Sequence, residues 1–95
     1  SRMDLIPPNT LLEVGAVFSF GALKYADRNW EKGFTNGRLA GAALRHITQW
    51  QAGENLDPES GYSHLTHAIC SLMMLSELSK CPNFQDDRSQ LETTK

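Results

Sequence analysis

The sequence predicts an all-α fold: a three-helix unit with a long ordered loop between its first two helices, completed as a helical bundle by homo-oligomerisation. Three observations point there. Apolar residues recur at helical spacing in three separate stretches, βαβ order is absent, and the last stretch is apolar around most of its circumference. The chain has 95 residues, and a domain of that size buries only about 60% of the surface its unfolded form exposes, which favours association with copies of itself. Residues 1–81 read as one domain and residues 82–95, "PNFQDDRSQLETTK", as a polar tail expected to be flexible.

The first helix follows "DLIPP" and runs through "NTLLEVGAVFSFGALKY", with Leu11, Leu12, Val14, Val17, Phe18, Ala22 and Leu23 at helical spacing. Thr10 and Glu13 have the form of a capping box. Gly15 and Gly21 each cost about 1 kcal/mol in a helix interior and imply close approach of another backbone. The segment "ADRNWEKGFTNG" has no sustained period, and its Trp30 and Phe34 predict an ordered loop.

Asn36 is placed to cap a second helix, "GRLAGAALRHITQWQA", with Leu39, Ala42, Ala43, Ile47 and Trp50 as its buried stripe and Gly53 as its stop. The third helix starts either after Asp57, with Pro58 as first residue, or later at Ser63. Its apolar residues Leu65, Ala68, Ile69, Leu72, Met73, Leu75 and Leu78 require burial on more than one side.

Composition excludes several classes. No apolar run is long enough to span a membrane and no basic-then-apolar leader is present, so a cytoplasmic protein without a membrane partner is expected. Cys70 and Cys81 lack metal-type spacing and read as free thiols. The net charge of -2 comes from mixed signs rather than blocks, which argues against a nucleic-acid polymer as partner.

All three histidines fall in "RHITQWQAGENLDPESGYSHLTH" beside Glu54, Asp57 and Glu59. His64 and His67, three apart, share a helix face, and Glu54 and Asp57 could join His64 on Mg, Mn or Zn. The HExxH zinc pattern is absent. Alternatively the histidines, His46 and His67 among them, contact an anionic ligand directly, or Asp57 and Glu59 complement the third helix's start while one histidine packs inside, hydrogen-bonded to the second helix.

On the second helix Arg38, Arg45 and Gln49 align, with His46 and Trp50 beside them. A guanidinium offers forked donors to phosphate and an indole can stack on a base; the plainer alternative is a surface arginine paired to Glu54 or Asp57 with Trp50 as core. In the loop, Tyr25 and Trp30 could sandwich a base while Lys24 and Arg28 neutralise phosphates, with Asn29 between them. Alternatively Lys24 compensates the first helix's C-terminal carbonyls and Trp30 plugs the bundle end. Neither a nucleophile with a triad context nor a GxxxxGK phosphate loop occurs.

The ordered series "DLIPP", "FGALKYADRNWEKG" and "AALRHITQWQAGENLDPESGYSHLTHA" resembles the dATP/dGTP diphosphohydrolase N-terminal domain family, common in bacteriophage genomes, over roughly residues 4 to 78. The family pattern maps onto Lys24, Tyr25, Arg28, Asn29, Trp30, Arg45, His46, Gly53, Glu54, Asp57, Gly61, His64 and His67, with Ala26 where a glycine is usual. The resemblance implies a phage protein that binds or acts on purine nucleotides. The helical nucleotide pyrophosphohydrolases to which the family name points hold Mg on paired ExxE acids, a pattern this chain lacks.

Two functional expectations follow. One is a metal-dependent hydrolase cutting a purine deoxynucleoside triphosphate between its α and β phosphates, with Glu54, Asp57 and His64 on Mg or Mn and Arg28 and Arg45 on phosphates. The other is a non-catalytic sponge that sequesters a host immune signal of cyclic nucleotide or cyclic ADP-ribose type and needs no metal. In a third, blander reading the same motifs serve only folding.

Overall fold

A computed structural model describes residues 1–90; residues 91–95, with the tail's Leu91, lie outside the described residues. The chain forms three α-helices, α1 (Pro8–Lys24), α2 (Asn36–Gln51) and α3 (His64–Leu78), with single 3-10 turns at Met3–Leu5 and Asn29–Lys32. Among the described residues there is no strand, only an isolated bridge between Leu56 and Ser63. The all-α class stands, and the loop between α1 and α2 carries a helical turn that its lack of period did not announce.

The helix starts differ in detail from expectation. α1 begins at Pro8, whose fixed φ suits the first turn and whose missing N–H would have no partner there in any case. The expected capping box does not form. Thr10 falls inside the helix, and Glu13 instead accepts a hydrogen bond from the Thr66 hydroxyl on α3. Thr35 rather than Asn36 caps α2, its hydroxyl accepting from the Arg38 amide at 3.3 Å. Gly53, with φ 105°, closes α2 as read, because the left-handed region suits a residue without Cβ.

α3 takes the later of its two possible starts, with Ser63 accepting from the Leu65 amide at 3.1 Å. Asp57 instead closes the turn before it, taking the Glu59 and Ser60 amides at 3.1 and 2.9 Å. The 57–60 turn is thereby fixed beside α2 and α3 rather than spent on a helix end.

α3 packs against both other helices, more extensively against α2. Toward α1, Cys70 meets Val14 and Val17, backed by Phe18 and Tyr62. Toward α2, the buried positions of that helix are Leu39, Ala43 and His46, whereas Ile47 and Trp50 are 41% and 40% exposed. The spacing of four and then three is as helical as the stripe read from the sequence, but the helix is rotated so that a histidine takes the inward place.

α3 is thus buried on two sides, as its apolar circumference requires, but not all round. Leu65, Ile69, Leu72 and Met73 lie exposed, because α1 and α2 together do not reach around the whole of α3. After α3, Asp87 accepts from the Gly37 amide at 2.8 Å, setting a carboxylate at the positive end of α2.

Candidate functional site

The histidines that the sequence spreads over two helices meet between them. His64, with no exposed surface, has its Nδ1 2.8 Å from Nδ1 of His46 and its Nε2 2.7 Å from the Glu54 carboxylate. An ionised carboxylate only accepts, so in the neutral ring Nε2 carries the hydrogen and Nδ1 the lone pair, and His46 Nδ1–H donates to it. His46 Nε2 has no hydrogen-bond partner. No buried side-chain N or O among the described residues is left unpaired, so that nitrogen is open to solvent. His67 stacks on His46 with ring centroids 4.7 Å apart, and its Nε2 lies 2.6 Å from the Ser60 hydroxyl.

Burial, then the neighbouring His67, His64 and Arg45, pushes His46 down to about 4, with Asp57 opposing. Burial lowers His67 as well, against Asp57. For Asp57 burial acts upward, but the Ser60 hydrogen bonds and His67 outweigh it and hold the carboxyl below its ordinary value. Near neutral pH, His46 and His67 are therefore uncharged imidazoles beside an ionised Asp57. Asp57, His46 and His64 each offer one ligand atom, and these atoms lie within 4.8 Å of one another. Glu54, expected in that set, stands behind His64 as its hydrogen-bond acceptor.

Next to this cluster opens a cavity of about 380 Å³. It is lined by Phe18, Phe20, Tyr25, Trp30 and Phe34 among the aromatics, and by Lys24, Arg28, Asn29, Arg45, His46, Asp57, Glu59 and His67 among the polar groups. Of the residues read as parts of a nucleotide site, Lys24, Tyr25, Arg28, Asn29, Trp30, Arg45, His46 and His67 lie on its wall, whereas Arg38, Gln49 and Trp50 stand elsewhere on α2.

Several of these charges are already engaged. Lys24 Nζ bonds Glu59 at 2.6 Å and lies 5.4 Å from the Tyr25 ring centroid, while Arg28 is 3.8 Å from Glu31. Arg45 has no salt bridge among the described residues, so the plainer alternative, an arginine paired to Glu54 or Asp57, is not formed there. Arg28 has φ 51°, the left-handed region that favours glycine, as strained residues near ligand sites often do.

Sequence reasoning missed the contribution of α1 to the cavity. The pattern marks Phe18 only as packing and Phe20 as nothing, yet both line the cavity one to two turns before Lys24. Gly21 also lines the wall. A Cβ built there would meet nothing within 4 Å, so the space left by the missing Cβ belongs to the cavity and not to a close helix crossing.

The two thiols differ sharply. Burial, with Glu13 nearby, pushes Cys70 up to about 12, whereas Cys81 is exposed. Iodoacetamide at pH 8 is expected to add one label to the folded chain, at Cys81, and a second only after denaturation, because the thiolate is the reactive form. Peptide mass spectrometry checks this; rapid labelling of Cys70 in the folded chain would contradict its burial.

The family model described as "dATP/dGTP diphosphohydrolase, N-terminal" matches residues 1–88. A protein of Salmonella phage PMBT28 named "dATP/dGTP diphosphohydrolase" is 34% identical over 86 residues, which make up 90% of this chain and 29% of that protein. The chain thus spans less than a third of the length of this relative. No solved structure matches. No described helix is long and apolar enough to cross a membrane.

Proposed function

The chain belongs to the dATP/dGTP diphosphohydrolase N-terminal family, and on that footing we propose that it binds a purine deoxynucleoside triphosphate in the cavity beside the histidine cluster and takes part in its hydrolysis between the α and β phosphates. The observation that carries this reading is that one cavity of about 380 Å³ is lined by an aromatic wall, by Arg45, which makes no salt bridge among the described residues, and by His46 and Asp57 of the histidine–aspartate cluster. That volume falls within the range of about 300–1,000 Å³ typical of small-molecule sites.

Tyr25 and Trp30 supply faces for a purine, since stacking tolerates either base, and Asn29 between them offers an amide to its edge. Arg45 takes phosphate oxygens in its forked donors without first giving up a carboxylate. Lys24 and Arg28 add charge once phosphate competes with Glu59 and Glu31. A divalent cation, when bound, offsets phosphate charge and activates water. The donor atoms of Asp57, His46 and His64 are chemically suited to hold one, and Glu54 acts on His64 rather than on the ion.

Incubating the purified protein with dATP or dGTP and Mg²⁺ or Mn²⁺, followed by chromatography, is expected to yield the monophosphate and pyrophosphate. Calorimetry measures binding separately. Heat of binding with no product would favour sequestration, and neither heat nor product would sink the reading. Arg45→Ala is expected to weaken nucleotide binding roughly 10- to 100-fold, the worth of a lost charge-assisted bond, while the melting temperature stays put because the side chain is exposed.

A further inference from the structure

We propose that the facing Nδ1 atoms of His46 and His64, with the Asp57 carboxylate, form a binding site for a borderline transition metal of the zinc class, and that Glu54 is its positioning residue. This deepens the reading of the same site as a hydrolytic centre and rests on it for its purpose, but it is measured without nucleotide.

Three features of the cluster argue for it. First, Glu54 takes the Nε2 hydrogen of His64, which aims the opposite lone pair, on Nδ1, at His46. A carboxylate behind a histidine is how metal-bound imidazoles are usually oriented and made more basic. Glu54 therefore has a role that the surface pairing of an exposed acid would not require, since its partner has no solvent-exposed surface at all.

Second, the two Nδ1 atoms lie 2.8 Å apart, so something must sit between their lone pairs. A proton does so when His46 carries its hydrogen on Nδ1. His46 Nε2 is open, so the hydrogen can move there and leave two lone pairs converging on one point. Two imidazole nitrogens bound at about 2.0–2.1 Å on one tetrahedral ion stand about 3.4 Å apart, so the pair has to open by roughly half an ångström.

Third, the donor types select the ion. Mg²⁺ and Mn²⁺ favour oxygen ligands, Mg²⁺ in near-ideal octahedral geometry, whereas two imidazoles and one carboxylate suit Zn²⁺. Three protein ligands also leave a coordination position for water or a phosphate oxygen, as catalytic zinc sites do. His46 and Asp57 both line the cavity, so that position is accessible from it.

The test is calorimetric titration of Zn²⁺, Mn²⁺ and Mg²⁺ into the full chain carrying Cys81→Ser, so that the exposed thiol does not compete. Co²⁺ serves as a spectroscopic probe of coordination. One Zn²⁺ per chain is expected, bound at least 100-fold tighter than Mg²⁺. Glu54→Gln should weaken it about 10- to 100-fold, the usual effect of losing such a partner. His46→Gln and Asp57→Asn should abolish it and the tetrahedral Co²⁺ absorption, with helical circular dichroism retained. Zn²⁺ binding unchanged in His46→Gln, or Mg²⁺ bound as tightly as Zn²⁺, would overturn the proposal. Nucleotide affinity measured in chelator reports on the cavity independently, so the site and the proposed function fail separately.

Discussion

His64→Ala is expected to cost roughly 3 kcal/mol of stability, the largest loss of any single substitution at the site. The ring has no exposed surface, so its removal leaves a void that neighbouring helices only partly fill. It also strands the Nδ1 of His46, itself only 8% exposed, without a partner. Glu54 loses least, since its side chain is 47% exposed and water replaces the imidazole. A small domain holds about 5–15 kcal/mol in all, and each kilocalorie shifts its melting temperature by about 4–8 °C. A fall of more than about 10 °C, followed by circular dichroism, is therefore the predicted result. A loss below about 1 kcal/mol would show that the buried pair contributes little to the fold.

Acid should unfold the protein earlier than its carboxylates alone require. With chelator present, stability is expected to fall as pH drops from about 6.5 toward 4, by roughly 2–3 kcal/mol from His46. Across that window the unfolded chain binds a proton that the folded chain refuses, so protonation favours unfolding. Burial and the adjoining His67, His64 and Arg45 are the cause, and Asp57 only moderates it. His67 acts in the same direction over a shallower range. Asp57 adds its own loss at still lower pH, where its carboxylate is protonated. Urea unfolding at several pH values measures the slope. His46→Gln should flatten it; an equally steep slope in that variant would place the effect elsewhere.

The helices were legible because apolar spacing, prolines and Gly53 act locally, and the structure forms all three within a few residues of where the pattern puts them. Rotation of each helix about its axis was not. Counting apolar residues put Ile47 and Trp50 inward on α2, but burial there goes to Leu39, Ala43 and His46. A histidine can take a core position when both of its neighbours are polar partners from other segments, and no spacing rule within α2 reveals His64 or Glu54.

The site followed the same division. The aromatic and cationic residues of the 24–30 stretch were readable as a group because they are contiguous. Their meeting with Arg45 and His67 needed the tertiary fold, as did the wall supplied by Phe18 and Phe20. Asp57 was readable as a turn residue, and it is one, yet the turn also delivers its carboxylate to the two histidines.

α3 has two characters back to back. One side carries His64 and His67 among fixed partners, and the other bears Leu65, Ile69, Leu72 and Met73 in the open. Because a helix of four turns moves as a rod, anything that leans on the leucines also tilts the histidines. The open apolar flank and the polar contacts of His64 and His67 therefore share one rigid element.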